Sequence, residues 1–184
     1  MSEIINEVIK FVEEECNKPT SNYGYDAFDH LIHVKNYAEV LAKRYEADLE
    51  VVILAALLYD IGSIRVGREN HHIEGIKITE KKLKELNYHP EKIELVKKCI
   101  FNHRGSVNNL KETKEEIIAD ADSMVCFDNI DGLFSAALVY EKKQRLEAKK
   151  SVLNKIKNSW NKLSFKESKI IIKPKYEAAL LLLT

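Results

Sequence analysis

An uninterrupted apolar run, VVILAALL, occupies residues 51–58 and constrains the fold more than any other part of the chain. With its neighbours it predicts a helix over about residues 49–59 that is apolar on every face. A helix of this kind is usually buried at the centre of a bundle. The run is too short to span a bilayer, which needs about 20 apolar residues. We therefore expect amphipathic helices to surround it.

Amphipathic helices are predicted on both sides of this segment. Apolar residues recur at helical spacing almost everywhere, and no segment of useful length alternates as a β-strand does. Only three prolines and six glycines interrupt the 184 residues, which favours long helices. We expect an all-α helical bundle that forms one domain over 1–184. Its core, which carries the sequence motifs, would span about 25–133, with a C-terminal helical extension over 134–184.

The residues after Leu58 are predicted to end the central helix. Asp60 comes just past its last turn, where a carboxylate meets a cleft rather than a dry core. Gly62 can adopt the left-handed conformation that often terminates a helix. A polar loop of about ten residues should then lead to His71 and His72.

Charge and cysteine content narrow the classes of function. Lys plus Arg equals Asp plus Glu, at 29 each, whereas a protein that binds long nucleic acids usually carries a basic excess. Cys16, Cys99 and Cys126 are far apart and in no metal-ligand spacing, which favours a reducing compartment. The N-terminus does not read as a signal peptide. We expect a cytoplasmic protein without a membrane or long nucleic acid as partner, and homo-oligomerisation stays open.

Several side chains that can bind metals occur at predicted helix ends or on inward faces. They are His33, Asp60, His72, His103 and Asp122. Imidazole and carboxylate together suit divalent ions of the Mn, Fe, Ni and Zn type. His103 continues the apolar stripe of its helix and should point inward. Asp122 lies in phase with Ile118 and Val125, so it should also point inward, whereas Asp120 should lean outward.

The order of these residues is more informative than any one of them, since a lone core histidine is more often hydrogen bonded than ligating. His33, the stretch AALLYDIG at 55–62 and the DAD at 120–122 resemble the HD superfamily of metal-dependent phosphohydrolases. The pattern of that family is a histidine, a His-Asp pair after Ala-Ala-Leu-Leu, and a later aspartate. Residues 72–75 and 100–104 resemble two further histidine segments that many members carry.

The resemblance implies a helical bundle around one or two divalent ions (Mn, Fe, Ni, Mg or Zn). It also implies hydrolysis of a small phosphate ester, a class that includes nucleotides. His33, Asp60 and Asp122 match the core ligands, and Asp60 would bridge the metals and orient the attacking water. His72 and His103 match the ligands of a second ion.

Arginines close to these positions are candidate contacts for the substrate phosphate, because a guanidinium binds phosphate oxygens in bidentate fashion. Arg104 directly follows His103 and is the best candidate. Arg65 and Arg68 lie in the predicted loop, where a solvated surface position explains them at least as well.

The chain departs from the family pattern at Tyr59, which stands where the His-Asp pair has its histidine. A phenol must lose a proton with an ordinary pKa of about 10 before it binds a metal well. The site is therefore retuned, weakened at one ion or inactive, unless Tyr59 simply packs at the helix end with its hydroxyl in water. A catalytically impaired metal- or ligand-binding module is thus the alternative to a hydrolase. An oxygen-activating di-iron enzyme is the least supported hypothesis.

Overall fold

The computed structural model describes residues 2–67, 69, 71–102 and 113–184. Within these residues all regular secondary structure is helical, which confirms the all-α prediction. The helices are α1 (Glu3–Asn17), α2 (Tyr25–Arg44), α3 (Leu49–Leu58), α4 (Ile61–Val66), α5 (His71–Glu85), α6 (Pro90–Asn102), α7 (Thr113–Val125), α8 (Ile130–Ser135), α9 (Arg145–Lys162) and α10 (Lys166–Leu183), with a π-helical turn (Ala136–Tyr140) between α8 and α9.

The chain divides into two compact units, Met1–Ala119 and Asp120–Thr184. The expectation of a single domain over 1–184 stays a prediction. Among the described helices, none combines the length and the apolar character that a membrane crossing requires.

Helix α3 forms the centre of the first unit, as its composition predicts. Every residue from 51 to 58 is buried, and α3 packs against α1, α2 and α6. Asp48 is the N-cap of the helix, and its carboxylate accepts a hydrogen bond from the Val51 N–H at 3.2 Å. Such an N-cap satisfies one of the amides that the first turn leaves unpaired.

Each helix around α3 buries one apolar face. Helix α2 buries Leu31, Val34, Ala38 and Leu41, which recur every three or four residues. Because side chains at this spacing share one side of a helix, they form a continuous contact surface for α3. Helix α5 packs against α4 and α6 and completes this unit on the side of the candidate site.

Residues 61–66 form a short helix, so the predicted ten-residue polar loop is wrong in this part. Gly62 lies inside α4 and does not have a positive φ, so it is not the predicted left-handed cap. A Cβ atom at Gly62 would lie 1.9 Å from the carbonyl oxygen of His71 and 2.8 Å from the backbone nitrogen of Gly75. Glycine is required here because the backbones of α4 and α5 touch.

The segment between α1 and α2 holds α4 in place. The backbone N–H of Asn22 donates to the carbonyl of Ile64 at 3.0 Å, and its side-chain amide donates to the carbonyls of Ser63 and Ile64. Carbonyl groups in the last turn of a helix often need partners outside it, and Asn22 supplies them here, although the carbonyl of Ser63 also accepts the Gly67 N–H at 2.9 Å. The helix that follows Asp60 is therefore anchored at its far end.

Aromatic rings pack the second unit. Trp160 of α9 stacks on Tyr176 of α10 with ring centroids 4.4 Å apart and planes at 5°. Phe127 meets the same tyrosine edge-on at 6.1 Å. The predicted C-terminal helical extension is thus present as two long helices joined by ring contacts.

Candidate active site

Asp60 lies at the corner between α3 and α4, where the buried helix ends. Its side chain is 34% exposed, so the carboxylate faces outward from a dry core, as expected. The hydroxyl of Ser63 donates to Asp60 Oδ1 at 2.5 Å. The corner therefore holds a carboxylate whose orientation is set by the next turn of the chain.

His71, the first residue of α5, lies beside this carboxylate. It is fully buried, and its Nε2 is 3.9 Å from Asp60 Oδ1. The sequence motif favoured the neighbouring His72 as the ligand. A signal for His71 was present, because His71, Gly75, Thr79 and Leu83 repeat every four residues and are all buried. Since such residues share a helix face, His71 is the inward one.

His72 is only partly buried. Its ring lies 5.6 Å from that of His71 and 6.0 Å from that of Phe101, both edge-on. Its assignment to a second ion stays a prediction.

Tyr59 is buried beside α2 rather than solvated at its hydroxyl. The residue is 3% exposed, and its Oη lies 2.7 Å from Nε2 of His30. The expectation that the ring packs at the helix end is confirmed, but a wet hydroxyl is wrong. The hydrogen bond between Tyr59 and His30 therefore lies next to Asp60, since Tyr59 directly precedes it in the chain.

His33, the predicted core ligand on α2, lies on a more open side of the helix, and its role as a ligand stays a prediction. Its side chain is 47% exposed, and its Nε2 is 3.7 Å from Asp29 Oδ2. His30 is the histidine that the sequence analysis missed. It precedes the buried Val34 and Ala38 at four-residue intervals, and this spacing could have identified it.

Asp120 and Asp122 belong to the second unit. Asp120 is fully buried, and its carboxylate accepts the backbone N–H groups of Ser164 at 2.8 Å and Phe165 at 3.0 Å. The prediction that Asp120 leans outward is wrong, because the turn before α10 covers that side of α7. Asp122 is partly buried, and its role as a ligand stays a prediction.

The predicted residues of the following segments have different outcomes. His103, Arg104 and Arg68 lie outside the described residues. Arg65 is bonded to a protein carboxylate: its Nε and Nη2 donate to the two oxygens of Glu15 at 2.7 and 2.6 Å. This guanidinium is therefore engaged in structure rather than free for a phosphate.

Comparison with known proteins decides the family. The family model described as HD domain matches residues 27–125, which is more than half of the chain. The chain belongs to the HD domain family. The sequence motifs indicated the same family, whose general chemistry is metal-dependent hydrolysis of phosphate esters.

A solved structure supports the fold of this HD domain. It is the crystal structure of a predicted HD superfamily hydrolase from an uncultured Thermotogales bacterium. The two chains are 24% identical, superpose with a TM-score of 0.58, and align over 83% of this chain and 84% of the other. No curated protein matches the sequence.

The HD family implies a divalent ion, and the donors at the α3–α4 corner fit it in part. Asp60 and His71 supply a carboxylate oxygen and an imidazole nitrogen, the donor types that such ions accept together. Tyr59 and His30 fit less well, since the nitrogen that a metal would use lies in a hydrogen bond. Among residues 2–67, 69, 71–102 and 113–184, no three His, Cys, Asp or Glu side chains form a group that could hold an ion.

Proposed function

We propose that this HD domain is a metal-dependent phosphohydrolase that acts on a small phosphate ester, a class that includes nucleotides. The observation that supports the proposal is the position of Asp60 and His71. A carboxylate and a buried imidazole lie 3.9 Å apart where two helices, α3 and α5, end and begin. Asp60 lies in the turn between the packed helices α3 and α4, and His71 begins α5, so little reorganisation is needed for the two side chains to act together.

Each residue has a proposed role in this chemistry. Asp60 and His71 would hold a divalent ion, with Asp122 and the histidines His72 and His103 as further candidate ligands. A bound ion of this kind polarises a phosphoryl oxygen and activates water near neutral pH. Asp60 would also orient the attacking water, and the hydrogen bond from Ser63 would keep its carboxylate from rotating.

Arg104 is the proposed contact for the substrate phosphate. Its guanidinium offers two parallel donors, which suit a phosphate better than the single point charge of a lysine. Arg65 is a weaker candidate because Glu15 already binds its guanidinium.

A second function is favoured by one observation, the hydrogen bond between Tyr59 and His30. Tyr59 stands where the family has the histidine of its His-Asp pair, and its hydroxyl also occupies Nε2 of His30. A catalytically impaired domain that binds a metal or another ligand would have this arrangement. The two functions differ in turnover, since only the first hydrolyses a phosphate ester.

Hydrolysis of a panel of phosphomonoesters and nucleotides, with Mn²⁺, Ni²⁺, Co²⁺ or Mg²⁺ added, tests the proposal. Asp60→Asn and His71→Ala should each lower turnover by about 100-fold or more, because an ion contributes several kcal/mol to charge stabilisation. His89→Ala, at a histidine whose side chain is 72% exposed, is the matched control, and it should stay within about twofold of the wild type.

The outcomes separate the two functions. An Asp60→Asn variant that keeps wild-type turnover contradicts the proposed site. A wild-type protein that binds a divalent ion and hydrolyses no ester in the panel favours the binding module instead.

A further inference from the structure

We infer that the Tyr59 hydroxyl caps His30 and withdraws its imidazole from metal binding, so that a divalent ion binds on the Asp60–His71 side of the corner alone. The inference rests on the proposed function for the presence of an ion. It goes further in assigning a role to Tyr59 and in excluding one histidine from the ligands.

The hydrogen bond involves the nitrogen that a metal would need. His30 Nε2 and Tyr59 Oη are 2.7 Å apart. In one tautomer Nε2 accepts the phenolic proton, and its lone pair is then used. In the other tautomer Nε2 carries a proton that it donates to the phenol oxygen, and it has no lone pair to offer. In either arrangement a metal can bind Nε2 only after the hydrogen bond to Tyr59 is broken, so the bond opposes ligation by His30.

The surroundings of Tyr59 keep the hydroxyl in this position. The residue is 3% exposed, and it continues directly from α3, whose last eight residues are all buried. A buried ring in a packed interior has few alternative rotamers. His30 stands on the long helix α2, which packs along α3, so both partners are held by the same helix contact.

His71, on the other side of Asp60, has a different relation to the carboxylate. Its Nε2 lies 3.9 Å from Asp60 Oδ1, which is beyond hydrogen-bonding distance for that pair. The two imidazoles beside the corner are therefore not equivalent. One is held by a phenol, and the other lies next to the carboxylate that the family uses as a ligand.

Co²⁺ binding to the full-length protein tests the inference, measured by calorimetry and by visible absorption of the bound ion. His30→Ala should leave the Kd of the wild type within about threefold, because His30 is not a ligand there. Tyr59→Phe removes only the hydroxyl oxygen and should tighten binding by roughly 10-fold, with a change in the absorption bands as a nitrogen ligand is added. Adding His30→Ala to Tyr59→Phe should cancel both changes.

His89→Ala in the Tyr59→Phe background is the matched control, since His89 is exposed and distant in sequence from the corner, and the gain in affinity should persist there. Thermal unfolding of each variant shows whether it is folded. The inference is overturned if His30→Ala weakens Co²⁺ binding 10-fold or more in the wild type. It is also overturned if Tyr59→Phe weakens binding, which would make the phenol a ligand. The inference is also overturned if neither Tyr59→Phe nor Tyr59→His binds Co²⁺. In that case neither the imidazole of His30, released from the phenol, nor a new imidazole at position 59 contributes to binding.

These readings are independent of turnover, so the proposed function fails or stands separately. If the variants bind Co²⁺ with the predicted relative affinities but the protein hydrolyses no phosphate ester, the proposed function is wrong and the inferred role of Tyr59 stands. If the protein hydrolyses an ester but His30→Ala abolishes Co²⁺ binding, the proposed function stands and the inferred role of Tyr59 is wrong.

Discussion

Glu15 and Arg65 join the end of α1 to the helix that follows Asp60. Glu15 is 5% exposed and receives two hydrogen bonds from the guanidinium and one, at 2.6 Å, from Lys18. Burial raises the pKa of Glu15, but the hydrogen bonds from Arg65 and Lys18 outweigh it and hold that pKa below its ordinary value of 4.5. The ionised carboxylate therefore stabilises the native state.

Glu15→Gln should lower the free energy of unfolding by about 1–2 kcal/mol near pH 7. This is less than for a fully buried pair, because Arg65 is 39% exposed. Since the native pKa is depressed, the contribution is complete above pH 4.5 and is lost as the pH falls through the native pKa. Urea denaturation at about pH 7 and about pH 3 measures the difference at both values.

Glu14→Gln, at an exposed neighbouring position, is the control and should change stability by less than about 0.5 kcal/mol. A Glu15→Gln effect of equal size at both pH values would contradict the account of this ion pair.

The histidines show how far single residues can be predicted from the sequence. Asp60 was identified correctly as a carboxylate at a helix end, because the end of an apolar run is a strong local signal. His33 and His72 were chosen, whereas the structure buries the nearby His71 completely and the nearby His30 in part. The two nearby histidines lie on different faces of the same helix. A repeat of buried residues every four positions shows which face points inward, whereas a motif match does not.

Asp120 could not have been placed from the helix period alone. Its face of α7 is covered by the turn before α10, more than forty residues further along the chain. The helical spacing of Ile118 and Val125 identifies one buried face of α7, but it does not show whether another face of the helix is buried as well. A contact made by a distant segment is a tertiary property, and it overrides the local pattern.

At the scale of elements, the contact between α4 and α5 places His71 beside Asp60. Gly62 and Gly75 face each other where the two helices touch, and no side chain fits between the backbones at Gly62. Glycine thus allows an approach that sets the distance between the two candidate ligands.

Gly62→Ala should destabilise the protein by about 3 kcal/mol, because the new methyl group would overlap the carbonyl of His71. The displaced α5 should also weaken Co²⁺ binding. Gly75→Ala is the matched control: its Cβ would lie 3.5 Å or more from its neighbours, an ordinary contact, so the change should stay within about 1 kcal/mol. Thermal denaturation and Co²⁺ calorimetry measure both effects, and equal stability of the two variants would contradict this role of Gly62.

The long helices were predictable and the short helix α4 was not. Helix α3 is apolar on all faces and α2 on one, so their period and length identify them. Helix α4 has six residues, too few to be stable without partners. Its stability comes from Asn22, Glu15 and the backbone of α5, none of which is adjacent in sequence.

At the scale of the whole molecule, the family was predictable because it is defined by the order of motifs along the chain. That order does not depend on which of two nearby histidines points inward, so the HD assignment is confirmed while the ligand assignments stay predictions. The division into two compact units had no signal in composition, since helical periodicity continues across residues 119 and 120.

We expect a divalent ion to bind at the end of α3, between Asp60 and His71. Anomalous diffraction from a crystal of the full-length protein soaked in Mn²⁺ tests it most directly. The account predicts an anomalous peak at about 2.0–2.3 Å from a carboxylate oxygen of Asp60 and from Nε2 of His71. It also predicts that His30 stays bonded to Tyr59. A peak at the exposed His33 and Asp29, with none beside Asp60, would contradict the account.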